Sequence, residues 1–229
     1  MALDFTGWTL VFDLDGTLVE TAPDLHAALN HTLALKDLAP VSIETIRMMI
    51  GDGAKALIRK GLAYNNVPVD EAEIDDTLWP AFINHYLANI THLSVPFEGS
   101  VACLEKLKSA GATLAVCTNK ALDLAEEVLA GLNLTSYFSA TVGGDTLTVK
   151  KPDGQHILET IKRAGGTSHK AIMIGDAQTD ERAARDARLP FVFVTFGYGT
   201  YSGEPYAPVR SIDHWQDMWQ ALTELADTP

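Results

Sequence analysis

The chain is poor in the features that mark secreted, membrane-spanning or nucleic-acid-binding proteins. Its two cysteines, Cys103 and Cys117, stand in no C-x-x-C or other metal-ligating spacing, so they read as buried reduced thiols of a cytosolic protein. Its seven histidines form no H-x-x-x-H or H-E-x-x-H pair, which argues against a zinc enzyme of that kind. Basic residues are scarce: 17 Lys and Arg against 30 Asp and Glu give a formal charge of −13 and an isoelectric point near 4.8. That balance argues against nucleic acid or an anionic membrane surface as partner, and any anionic substrate must be drawn by a local site. No apolar run is long enough to cross a bilayer, and the start, Met1-Ala2-Leu3-Asp4-Phe5, has no basic segment of a secretory signal, so a cytoplasmic location is expected. Without such a signal, Asn30-His31-Thr32, Asn89-Ile90-Thr91 and Asn133-Leu134-Thr135 are chance matches to a glycosylation acceptor.

What remains is an ordinary globular composition, 47% hydrophobic and 21% charged over 229 residues, enough for one core with a smaller domain inserted. The organising stretch is Leu10-Val11-Phe12-Asp13-Leu14-Asp15-Gly16-Thr17. It reads as a strand covered on both faces that runs into a loop, with Gly16 supplying freedom for a sharp exit. Side chains alternate along a strand, so Asp13 and Asp15 are expected on one side. Two carboxylates there are costly unless paired with a positive group, and a hard, oxygen-seeking cation such as Mg²⁺ meets that need and attracts phosphate. The competing reading is a loop acid that caps a helix.

Thr21 is placed as the N-cap of a helix with Pro23 in its first turn, carrying Leu25, Ala28, Leu29, Thr32 and Leu33 on one face. A second helical pattern runs from Ser42 to Ile50, breaks at Gly51-Asp52-Gly53 and resumes over 54–58, and a third covers Asp70 to Ala88 despite Pro80. No strand is expected from about Val19 to Leu93. The reading is therefore an all-helical unit over 19–95 inserted into a core made of 1–18 and 96–229. In that second part, strands are expected at 113–117, around 140–142, at 171–174 and at 191–194, alternating with helices, and Trp215, Met218, Trp219, Leu222 and Leu225 mark a closing amphipathic helix. This alternation points to an α/β fold, a Rossmann-like doubly wound parallel sheet whose ligands bind outside the carboxyl ends of the strands. That rule singles out Asp13 and Asp15, Thr118 and Asn119, and Asp176, each where an apolar strand stops, with Lys151 after a similar segment.

Together these side chains suit phosphoryl transfer. Asp13 can attack phosphorus, and Asp15 can protonate the departing oxygen and then deprotonate water. Mg²⁺ held by Asp13, Asp176 and a backbone carbonyl near Asp15, with Asp180 in or just outside the ligand shell, would offset phosphoryl charge. Thr118, Asn119 and Lys151 would bind the remaining oxygens.

Asp13-Leu14-Asp15-Gly16-Thr17, Thr118-Asn119, Lys151-Pro152 and Gly175-Asp176 with Asp180 resemble the four ordered motifs of the haloacid dehalogenase superfamily. The resemblance spans nearly the whole chain. It implies a Rossmann-like core, Mg²⁺, phosphatase chemistry through an aspartyl-phosphate, and a helical cap between the first and second motifs. Residues 15–25, Ile50-Gly51-Asp52-Gly53-Ala54 and Thr118-Asn119-Lys120 look most like phosphoglycolate phosphatases, although Glu20, Asp153 and Ala177 depart from the residues usual there. A small phosphorylated metabolite is the implied partner.

In the cap, Arg47, Lys55 and the turn from Gly51 to Gly53 are candidates for clamping a substrate carboxylate, against the plainer reading of solvated charge beside a helix break. Superfamily dehalogenases and phosphonatases lack the second aspartate, so Asp15 argues against both, while Lys55 keeps the Schiff-base chemistry of the latter a remote option. A phosphosugar mutase shares the cap and the aspartate pair and is the nearer rival. A catalytically silent binding module is the alternative from another class. The junctions near Val19 and Leu93 to Pro96 are the expected hinges.

Overall fold

The computed structural model describes residues 4–200 and 209–226; the extreme ends of the expected core, 1–3 and 227–229, lie outside them. Residues Thr9–Phe12 (β1), with no polar break, form the centre of a six-stranded parallel sheet. Beside β1 lie Thr113–Cys117 (β4) and Ala171–Gly175 (β6), and beyond them Ala140–Val142 (β5) on one side and Phe191–Val194 (β7) and Val209–Ile212 (β8) on the other. The chain thus fills one half of the sheet outward from β1, returns to the centre, and fills the other half. This reversal is the switch point at which doubly wound sheets bind ligands. Valine, isoleucine and phenylalanine dominate the strands because helices bury both faces. One face is covered by Ser100–Ser109 (α6), Leu122–Gly131 (α7) and Met218–Ala226 (α10), the other by Gly154–Arg163 (α8) and Gln178–Asp186 (α9), giving two apolar cores.

Register brings the polar strand ends together. Phe12 is level with Val116 of β4 and Ile174 of β6, so Asp13 follows at the height where those strands end, with Thr118 and Asp176 one step later. The Asp13 N–H still donates to Ile174 O at 2.9 Å, which carries the ladder one residue into the loop.

Between the core segments the chain is helical: Ala22–Ala34 (α1), Ile43–Arg47 (α2), Ala54–Tyr64 (α3), Glu71–Glu73 (α4) and Trp79–Ala88 (α5). Four details differ from the sequence reading. Val19–Glu20 (β2) is a strand after all, paired antiparallel with Val95–Pro96 (β3), and a two-residue strand leaves no periodicity to read. The stretch after Asp70 is not one regular helix, because a π-helical turn at Ile74–Leu78 separates α4 from α5 just before Pro80, a wide turn that accommodates the missing N–H. Thr21 precedes α1 but makes no capping bond; its hydroxyl donates to Asp15 Oδ1 at 2.7 Å instead. The edge strand β8 was not anticipated, since only Ile212 of its four residues is buried.

The chain returns from the helical segment under tight control. Asp24, on α1 and buried, accepts from Leu93 N–H at 3.0 Å, Ser94 N–H at 2.8 Å and the Ser94 hydroxyl at 2.6 Å, pinning the segment before β3 to the start of α1. Both cysteines are buried and unbridged, and burial pushes each thiol up to about 12, which leaves them unreactive. Among the described residues, no helix is long and apolar enough to cross a membrane.

Candidate active site

The site forms where β1, β4 and β6 end. Leaving β1, the chain turns sharply at Gly16 (φ 85°), where a Cβ would come within 2.5 Å of Asp176 Oδ2, so glycine is required both for the turn and for the approach. Carboxylate oxygens of Asp13, Asp176 and Asp180 lie within 4.8 Å of one another. Lys151, which is 2% exposed, is held against this group, its ammonium 2.8 Å from Asp13 Oδ1 and 2.6 Å from Asp180 Oδ1. These are close charge contacts that lack hydrogen-bond alignment.

Each acid is oriented separately. The Asp180 carboxylate accepts from the Ala177 N–H at 3.0 Å, fixing it at the first turn of α9. Asp176 accepts from the Thr17 hydroxyl at 3.0 Å and from the N–H groups of Tyr198 at 2.7 Å and Gly199 at 3.2 Å. Burial pushes Asp13 up to about 8; Lys151 opposes the shift, while Asp180 and Asp176 add to it. Burial, and then the charge of Asp180, push Asp176 up to about 6 against its hydrogen bonds. The cause is arithmetic: three acids share one ammonium in a desolvated site.

A divalent cation fits this donor set. All three side chains offer oxygen and none offers nitrogen or sulfur, the preference of Mg²⁺. Their spread is close to the roughly 4.2 Å that separates opposite ligands at Mg–O distances of about 2.1 Å. The excess negative charge is what such an ion neutralises.

Asp15 faces a different cation. Both of its oxygens lie 3.0 Å from Lys120 Nζ, a pair the sequence reading passed over although Lys120 directly follows Thr118-Asn119. Burial works against the Lys120 ammonium, but the charge of Asp15 outweighs it and the net shift is upward. Thr118 is buried and its hydroxyl accepts from the Lys120 N–H at 3.2 Å. The Asn119 amide bridges two segments, donating to Gly51 O and Lys151 O, both at 3.0 Å. It therefore ties the turn before α3 to the core.

Asp13, Asp15, Thr118, Asn119 and Lys120 form the core side of a cavity of about 60 Å³. Gly51, Gly53, Leu57, Trp79 and Tyr86 close it from the helical segment. Gly53 (φ 93°) opens α3, and a Cβ there would press on Asn119 O at 3.2 Å. Arg47 and Lys55 are not part of the lining. Arg47 pairs with Glu20 at 3.1 Å, and Lys55 pairs with Asp75 at 2.6 Å while lying over the Trp79 ring.

Tyr198 is a further residue with no warning in the sequence. Its hydroxyl donates to Glu20 Oε1 at 2.7 Å and accepts from the N–H groups of Thr21 at 2.7 Å and Ala22 at 2.9 Å, while its own N–H holds Asp176. One residue thus joins β2, the start of α1 and an acid of the site.

A parallel sheet with this strand order, an aspartate pair leaving β1 and acids after β6 define a class, and residues 10–194 match the family model "Haloacid dehalogenase-like hydrolase". The chain belongs to that family. Within it, the chain is 46% identical over 227 residues to phosphoglycolate phosphatase of Caulobacter vibrioides, covering 99% of this chain and 95% of that protein. It is 44% identical over 214 residues to the Agrobacterium fabrum phosphoglycolate phosphatase, covering 93% and 91%. A crystal structure described as a predicted phosphoglycolate phosphatase from Haemophilus somnus superposes with a TM-score of 0.85 at 27% identity, covering 96% of this chain and 99% of that one. The protein is a phosphoric monoester hydrolase of the phosphoglycolate phosphatase-like kind.

Proposed function

We propose that the protein is a Mg²⁺-dependent phosphatase that hydrolyses 2-phosphoglycolate or a similarly small phosphate ester through an aspartyl-phosphate on Asp13. The observation that carries this reading is the buried group of Asp13, Asp176 and Asp180 around Lys151, with Asp15 beside it on a separate lysine. Two carboxylates in different surroundings, Asp13 in the acidic group around Lys151 and Asp15 paired with Lys120, match a two-step displacement. An Asp13 oxygen attacks phosphorus as the ester P–O bond breaks, and Asp15 gives its proton to the departing oxygen. Water then attacks the same phosphorus, Asp15 takes the proton, and Asp13 is regenerated with release of inorganic phosphate. Lys151 and Thr118 bind phosphoryl oxygens, with Asn119 positioning the loop between them. Asp13, Asp176, Asp180 and a main-chain carbonyl near Asp15 would hold Mg²⁺, which supplies charge neutralisation of the phosphoryl oxygens.

In this reading 19–95 is a cap domain over a core of 1–18 and 96–229, and the β2–β3 ribbon is the pair of links about which it closes to exclude water. The substrate assignment is supported by the names of the relatives and by a cavity that suits a two-carbon leaving group. The test is phosphate release from a panel of esters with Mg²⁺ and with EDTA. Preference for 2-phosphoglycolate, abolished by EDTA, is expected. Preference for sugar phosphates would overturn the substrate, and metal-independent release would overturn the cofactor.

A further inference from the structure

Two side chains in the cavity are not accounted for by phosphoryl transfer. The first is Tyr86 on α5, fully buried, whose hydroxyl completes no hydrogen bond. A buried hydroxyl without a partner costs stability, so its retention calls for a partner that arrives later. The second is Lys120, whose ammonium lies 4.9 Å from the centre of the Tyr86 ring as well as beside Asp15. Among the described residues, Lys120 is the one basic residue that lines the cavity. The other cations near the cap are engaged elsewhere: Arg47 with Glu20, Lys55 with Asp75, Lys60 with Asp52, and Lys150 with Asp52 O.

We propose that Lys120 and Tyr86 form the subsite for an anionic leaving group, Lys120 supplying the charge and the Tyr86 hydroxyl a hydrogen bond to the same carboxylate. This rests on the phosphoglycolate reading and deepens it. Asp15 reaches the ester oxygen, and in a 2-phosphoglycolate the carboxylate is attached only one carbon further along. The group bound beside Asp15 is therefore the leaving group's acid, and the cationic side chain beside Asp15 is Lys120. Burial pushes the Tyr86 phenol up to about 12, so the hydroxyl keeps its proton and acts as a donor at neutral pH. Apart from Tyr86, the cap lining consists of the glycines Gly51 and Gly53 and of apolar or aromatic side chains such as Leu57 and Trp79, none of them charged. Specificity for the acid thus sits on one cap residue and one core residue that face each other in the cavity.

The test compares kcat/KM for 2-phosphoglycolate with kcat/KM for ethyl phosphate, which has the same ester carbon and no carboxylate, in the wild type, Tyr86→Phe and Lys120→Met, all with Mg²⁺. The ratio of the two constants is the readout. A hydrogen bond to a charged group corresponds to roughly a tenfold to hundredfold preference. Tyr86→Phe is expected to reduce the ratio by that amount, and Lys120→Met to bring it near that of a neutral ester. Because the polar neighbour of the hydroxyl is Lys120, which keeps its pairing with Asp15, Tyr86→Phe should leave the thermal midpoint close to that of the wild type, which a structural tyrosine would not do. A wild-type preference that survives both substitutions would overturn the subsite. No preference in the wild type would overturn the substrate reading itself, and the subsite with it.

Discussion

Replacing Lys151 by methionine tests the electrostatics of the site most directly. The ammonium is buried within 2.8 Å of two acids, and a third lies in the same group. Removing one partner from a buried charge set costs about 3–5 kcal/mol. At roughly 2–4 °C per kcal/mol for a chain of this size, the midpoint should fall by roughly 6–20 °C. The loss depends on pH with a definite sign. Asp13 and Asp176 have folded pKa values raised to about 8 and about 6, against about 3.9 when unfolded. The folded state therefore binds their protons more tightly, so their contribution is complete below about pH 4 and is lost as pH rises through about 6 and then about 8. Wild-type protein in EDTA should lose stability over that window from these groups. In Lys151→Met the deficit should be large above the Asp13 value and shrink on acidification, because the acids then neutralise one another's burden by protonation. Mg²⁺ should restore stability, and by more in the variant than in the wild type, because it replaces the lost charge. Thermal unfolding followed by circular dichroism, with EDTA or Mg²⁺ at several pH values, reads all of this. A variant as stable as the wild type in alkaline EDTA, or a deficit that ignores pH, would refute the reasoning.

Asp13→Asn should reduce phosphate release to background while the circular dichroism spectrum stays native and the midpoint in EDTA is unchanged or higher, since one buried charge is removed; substantial turnover would sink the nucleophile assignment. Tyr198→Phe should behave oppositely to Tyr86→Phe. It strips an acceptor from the Thr21 and Ala22 N–H groups and a donor from Glu20, at a cost of about 1–3 kcal/mol, so urea unfolding should show a clear loss of stability. Equal midpoints for Tyr198→Phe and the wild type would show that the network around β2 contributes nothing.

The core was legible because its signals are local. The short apolar runs within 9–12, 113–117, 171–175 and 191–194, alternating with helical patterns, suit strands covered on both faces, and the residues at their ends follow from the strand order of such sheets. The β2–β3 ribbon and β8 were not legible, because two residues carry no period and an edge strand need not be apolar. In the cap, Gly51 and Gly53 do line the cavity, yet Arg47 and Lys55, chosen as cations at plausible positions, turn toward Glu20 and Asp75. Composition shows that a charge exists but not which acid lies within reach.

By itself, the sequence determined the α/β class, the inserted helices and the acids, amide and lysine at the strand ends, because burial and strand exit are properties of a few consecutive residues. Only the tertiary structure decided which partner each polar group has. Asp15 meets Lys120 across 105 positions, Tyr198 reaches Glu20 across 178, and Tyr86 arrives in the cavity on a cap helix with its hydroxyl unpaired. Those pairings depend on distances of a few ångströms between segments remote along the chain, and no periodicity within either segment encodes them.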